Sequence, residues 1–360
     1  MAGNQQQPTE QDLRSVHTDT LANMLAELGI SLLITTYQAG KLIVLRAENG
    51  TVNTHFRNFF SPMGMAVRDN QRLAIGTAVE VLEFRNQPAV AAKLEPPGRH
   101  DACFLPRAAH TTGDIRVHEI AWAGDELWIV NTRFSCLATL DSDHSFIPRW
   151  RPPFVSAWAA EDRCHLNGLA VADGQPKYVT CLGTTDTAGG WRANKRNGGV
   201  LVEVPSGKTL IHGLSMPHSP RWYANELLVL ESGQGSIARV DLAASKLQTI
   251  AELPGFTRGL DFFGPYAFIG LSQIRETAIF GELPITERLE ERTCGVWVVD
   301  LRDGSTVAFL RFEAGVQEIF AVQVLRGIRY PELFNEPGDS HIANSFVLPD
   351  EALADVPADH

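Results

Sequence analysis

Apolar residues in this chain come in short runs rich in Val, Ile, Leu, Phe and Trp, broken by tight polar turns and carrying no sustained helical stripe after the first thirty positions. One phrase recurs. His118-Glu-Ile-Ala-Trp-Ala-Gly-Asp-Glu-Leu-Trp-Ile-Val-Asn131 aligns without a gap on His218-Ser-Pro-Arg-Trp-Tyr-Ala-Asn-Glu-Leu-Leu-Val-Leu-Glu231, and with one extra residue on Asn167 to Cys181. Met63 to Thr77, Arg258 to Leu271 and Gln317 to Leu325 are weaker copies. Each reads as an apolar strand, a polar turn and a second apolar strand, which is a hairpin.

The six copies begin 40 to 59 residues apart, about 51 on average, which fits a four-stranded propeller blade and is too long for a leucine-rich or helical-pair repeat. The pattern predicts an all-β, six-bladed β-propeller. Ser31 to Tyr37, Lys41 to Arg46 and Thr54 to Phe59 form three strands with no inner strand before them, whereas the phrase at Gln317 to Leu325 lacks a full set of outer strands after it. The N- and C-terminal strands are therefore expected to share one blade, closing the ring and hiding its edges. Ahead of them, Leu13, Val16, Leu21, Leu25 and Leu28 fall near helical spacing, predicting a helix over 9–29 with Thr9 as its N-cap and Gly29 at its C-terminal cap. The expected divisions are a helical segment over 1–30, the propeller over 31–346 and a tail over 347–360.

Turns between first and second strands of the blades are all short. The long segments are Arg99 to Val117, His144 to Cys164, Leu182 to Gly199 and Ser272 to Gly295. All four are expected on the face where the six phrases begin, and long loops gathered on one side of a rigid scaffold build sites.

Composition narrows the function classes. A net charge of −11 opposes nucleic-acid binding, and no run of eighteen apolar residues suggests a membrane span. The first residues lack the basic start and apolar stretch of a signal peptide. Cys103, Cys136, Cys164, Cys181 and Cys294 are odd in number and form no C-x-x-C pair, so free thiols in a reducing cytoplasm are expected.

Met63, His118, Asn167, His218, Arg258 and Gln317 open the six phrases and are expected to ring the channel entry, with His165 two residues before Asn167. Asn131, Cys181, Glu231 and Leu271 end second strands at that level. His118, His165, His218, Glu231 and Asn167 are the candidate ligands of a divalent metal: zinc, iron or copper if imidazole dominates, calcium, magnesium or manganese if oxygen does. The alternative is a water-filled channel with a merely polar lining. Arg258 is the candidate anion clamp, its alternative being an ion pair with Glu231 or Glu318, and either glutamate is a candidate general base. Trp191 and Arg192, on a Gly-rich loop over 184–199, join Asn131 and Gln317 as candidate substrate contacts, the loop acting as a lid or as plain surface. The serine-hydrolase elbow, the H-E-x-x-H zinc motif, the Rossmann fingerprint and the phosphate loop are all missing.

Met216-Pro-His-Ser-Pro-Arg-Trp222, Leu228-Val-Leu-Glu231-Ser232 and His165-Leu-Asn167-Gly-Leu-Ala resemble phrases of the six-bladed gluconolactonase, senescence marker protein and strictosidine synthase group. That resemblance implies a divalent metal held at His218 and Glu231, although His218 stands where the lactonases have Asn. Three inner-strand histidines also resemble the zinc site of the peptidylglycine amidating lyase. Over nearly its whole length the chain is similar to an uncharacterised bacterial family sharing the Thr-Thr-Tyr-Gln-Ala-Gly, His-Glu-Ile-Ala-Trp and Met-Pro-His-Ser-Pro-Arg phrases. Two functions stay open: a metal-dependent hydrolase or lyase acting on a small or peptide-like acid, and a non-catalytic module presenting its mouth or Trp150, Trp158 and Trp191 to a protein or peptide. A homo-oligomer is compatible with both.

Overall fold

The computed structural model describes residues 13–273 and 282–356. Six antiparallel sheets stand in a ring as a six-bladed propeller. The inner strands of blades one to five are Met65–Arg68, Val117–Ala123, Leu166–Ala172, Pro217–Tyr223 and Phe256–Phe263. Blade six closes the ring as expected: Ala321–Arg326 is innermost and pairs with Ile30–Thr36, followed outward by Lys41–Glu48 and Thr51–Asn58. The register sets Leu33 opposite Gln323 and Ile34 opposite Val322.

Apolar side chains fill the wedges between blades. Each of the six interfaces has its own buried cluster, for example Val130, Leu166 and Val179 between blades two and three. Toward the axis the inner strands crowd one another, and glycine is needed there. A Cβ on Gly64 would stand 2.9 Å from the Glu119 backbone, and one on Gly168 2.4 Å from the Pro220 ring.

The N-terminal segment departs from the helix expected over 9–29. Thr9, the expected cap, lies outside the described residues, and the helix runs Asp19–Leu28, ending on Gly29 in the left-handed conformation at φ 65°. Ser15–His17 is instead a strand, added antiparallel to Thr306–Phe312 at the rim of blade five. An outer strand leaves unpaired N–H and C=O groups, and pairing them outweighs the helical spacing that Leu13 and Val16 show. The helix buries Leu21 and Leu25 completely.

Two of the long segments also differ from expectation. Much of Arg99 to Val117 is the outer strand Ala102–Thr111, and the insertion before it, with the short helix Pro88–Ala91, joins third to fourth strand on the opposite face. His144 to Cys164 begins in the strand Ile147–Trp150, so only 151–165 crosses the mouth. The segments after Cys181 and Ser272 do join second to third strands on the mouth face. Among the described residues no helix is long and apolar enough to cross a membrane.

After the closing strand, Pro331–Leu333 adds in parallel to Ala102–Thr111 of blade one. Its Glu332 is buried and meets His55 at 3.1 Å and Arg57 at 2.9 Å. Burial opposes ionisation, yet the hydrogen bond from His55 and the charge of Arg57 hold the carboxyl down to about 2. With the folded value depressed, the unfolded chain takes up the proton first, so this stabilisation is present above the ordinary carboxylate range and is lost as pH falls from there towards about 2. Glu332→Gln is expected to cost about 2 to 3 kcal/mol at neutral pH and much less near pH 3. Urea unfolding of both proteins at the two pH values checks this; an unchanged gap contradicts it.

Candidate functional site

A cavity of about 600 Å³ opens at the mouth, where the inner strands begin. His118, His218 and Arg258 enter from the first residues of their inner strands, and His165 from the residue before its own. Blade six supplies its wall from both ends of the chain. Tyr37 follows Ile30–Thr36, and Glu318 and Phe320 precede Ala321–Arg326.

The three imidazoles are held alike. His118 Nδ1 donates to the carbonyl of Arg116 at 3.1 Å, and His218 Nδ1 to the carbonyl of Met216 at 2.9 Å, with Ser232 Oγ also at 2.9 Å. His165 Nδ1 donates to the Asp162 carboxylate at 2.9 Å. Carbonyl and carboxylate oxygens only accept, so the hydrogen sits on Nδ1 and Nε2 keeps its lone pair. The backbone is bent to this end. Arg116, Asp162, His165 and Met216 are non-glycine residues at φ between 47° and 55°, a conformation that costs energy and concentrates at functional sites.

Burial lowers the pKa of all three rings, reinforced at His118 by His165 and Arg258 and at His218 by Arg258, and opposed at His165 by Asp162. Burial thus favours the neutral form of each ring. The His118 and His165 rings meet edge to face at 4.8 Å, and Trp191 lies 4.4 Å from His165.

Arg258 is the cation of the site. Its guanidinium lies 3.5 Å from the centre of the Phe320 ring, and among the described residues it has no hydrogen-bond or ion-pair partner. Burial brings its pKa down to about 10, against the pull of Tyr37, Glu318 and Glu119. The Tyr37 hydroxyl donates to the Glu318 carboxylate. Arg116 and Arg192 also reach the wall, but both are drawn to Asp162, at 3.4 and 3.3 Å.

Of the residues singled out in the sequence, His118, His165, His218, Arg258, Glu318, Trp191 and Arg192 line this cavity. Four others do not. Asn167 is buried with its amide spent on the Pro217 carbonyl and Thr180 Oγ1, tying blade three to blade four. Glu231 accepts from the Ser215 backbone, and it is the next residue, Ser232, that touches His218. Asn131 accepts from the Phe134 backbone, and Gln317 is exposed. Tyr37, Asp162, Ser232 and Phe320 are the site residues that the repeat did not reveal.

The donor chemistry fits a zinc-type metal, since imidazoles anchored through Nδ1 and presenting Nε2 are the usual form of ligating histidine. Among the described residues, however, no three His, Cys, Asp or Glu side chains stand together at metal-holding distance.

Similarity to known proteins agrees with the fold. A chain in the structure titled "Crystal structure of Nidogen/Laminin Complex" aligns with TM-score 0.53 and 11% identity, over 83% of this chain and 99% of that one. A chain of the computationally designed Ika8 protein aligns with TM-score 0.36 and 11% identity, over 83% of this chain and 80% of that one. At 11% identity the first of these likenesses concerns the fold alone. No curated protein matches the chain. Residues 19–334 match the family described as "Domain of unknown function (DUF4915)", and the chain belongs to that family.

Proposed function

We propose that the mouth is the active site of a metal-dependent hydrolase or lyase acting on a small or peptide-like acid. The observation that carries this reading is the set of three imidazoles, each anchored through Nδ1, lining one cavity with a guanidinium that has no hydrogen-bond or ion-pair partner among the described residues. Polar groups of this kind are costly to hold in a half-enclosed apolar cavity unless a ligand uses them.

Arg258 seats the anionic group of the substrate, its planar fork matching two oxygens at once. Glu318, oriented by the Tyr37 hydroxyl, accepts or returns a proton at the reacting atom. His118, His165 and His218, drawn closer together than they stand, would hold a divalent transition metal, which when bound supplies Lewis acidity toward a carbonyl or a water. Kinship with the gluconolactonase group is part of the proposal, but of the two ligands carried over from it only His218 lines the cavity. The three-histidine arrangement of the amidating lyase is the nearer parallel. Five free, buried cysteines support a cytoplasmic setting.

Protein purified without chelator is expected to carry about one equivalent of a transition metal, or to take it up on titration. His118→Ala and His218→Ala should each weaken zinc binding by at least about 10- to 100-fold in calorimetry. Uptake that is absent, or indifferent to both substitutions, sinks the metal-dependent reading.

A further inference from the structure

We infer that the ligand of the mouth is a carboxylate carrying an apolar body. This rests on the reading of Arg258 as the anion seat and adds the chemistry of the rest of the molecule. Beside Arg258 the wall is mostly apolar: Leu182, Trp191, Met216, Phe256 and Phe320 line it and are buried. Trp191, Leu182, Met216 and Phe256 pack together there with Leu283 and Ile285. These side chains reward burial of apolar ligand surface, and methionine adapts to its shape. A cavity of about 600 Å³ is of the size that encloses a small organic molecule.

The neighbours of Arg258 favour a carboxylate over a more highly charged anion. Among the described residues Arg258 is the lining guanidinium with no hydrogen-bond or ion-pair partner, stacked on Phe320, whereas Arg116 and Arg192 both lean on Asp162, and Asp114 is taken up by Arg133. Glu318, held by the Tyr37 hydroxyl, shares the same wall. A phosphate dianion would add two negative charges beside that carboxylate among apolar walls, which low-dielectric surroundings disfavour.

Four probes separate the parts of this inference in calorimetry on the full chain: phenylbutyrate, its neutral amide, acetate and phenyl phosphate. Phenylbutyrate is expected to bind about 10- to 100-fold tighter than the amide, and tighter than acetate by at least as much. Arg258→Gln should erase the preference for acid over amide, and Met216→Ala should weaken phenylbutyrate while leaving acetate unchanged. If acetate binds as well as phenylbutyrate, the apolar body is wrong and the anion seat stands. If the amide binds as well as the acid, the anion seat itself fails. Tighter binding of phenyl phosphate, or no binding of phenylbutyrate, overturns the carboxylate assignment. The comparison of acid with amide needs only the unaltered protein, so it survives any folding defect in the variants.

Discussion

Replacing Glu119 with Ala is expected to lower the unfolding free energy by about 3 to 5 kcal/mol, a large effect for one side chain with no part in the mouth. Glu119 lies on the inner strand of blade two and Arg221 on that of blade four, and they meet across the central channel. The pair is bidentate, with Nη1 to Oε2 at 2.9 Å and Nη2 to Oε1 at 3.1 Å. Arg221 also donates through Nε to the Leu260 carbonyl of blade five at 3.0 Å, so one guanidinium links three blades. Burial pushes the Glu119 carboxyl up while Arg221 opposes the shift.

The loss comes mainly from leaving Arg221, a half-buried cation, without its carboxylate, not from the worth of the pair itself. Glu119→Leu combined with Arg221→Met, which removes both charges and fills the space, should therefore recover much of what either single change loses. Equilibrium unfolding in denaturant measures all the variants. A loss below about 1 kcal/mol for Glu119→Ala would mean that water reaches Arg221 and that the channel is open below the mouth.

The architecture was legible in the sequence because a propeller repeats one physical problem six times: two short, largely apolar strands joined by a tight polar turn. The shared closing blade was legible because strands left over at the two ends must pair with something. In the site, His118, His218 and Arg258 could be read off because they hold equivalent phrase positions and their strands start in the expected register. Asn167 misled, because the chain enters blade three through a left-handed His165, which takes the wall position while Asn167 turns to Pro217. Glu231 misled by one residue. It pairs with Pro217 at the end of its strand, so the turn residue Ser232 reaches His218. Tyr37 carries no signal of its own, since it joins the wall only once the last inner strand brings Glu318 and Phe320 beside it.

That dependence on ring closure gives the other large effect. A chain ending at Val316 is expected to lose cooperative folding, whereas one ending at Asn344 should keep its melting temperature within about 2 °C. The shorter chain lacks Ile319, Val322, Val324 and Leu325, all buried at 1% exposure or less in the wedges on either side of blade six. Fully burying each such side chain contributes about 1.5 to 3 kcal/mol, so the joint loss for the four, about 6 to 12 kcal/mol, is comparable with the whole stability of an ordinary domain. It also bares the edge of Ile30–Thr36, a fully buried apolar strand with no partner left on that side, which invites aggregation. Of the described residues the longer chain drops only 345–356, a mostly exposed stretch in which Phe346 is 78% and Leu353 50% exposed. Circular dichroism melts and size-exclusion profiles of the two truncations decide the matter. A soluble, cooperatively melting chain ending at Val316 would show that five blades hold without the sixth being closed, and that Tyr37 and Arg258 are placed independently of the C-terminal strand. Restoration of the short form by a peptide spanning 317–344 would instead tie the mouth to ring closure, because the same strand that seals the core carries Glu318 and Phe320 to their partners.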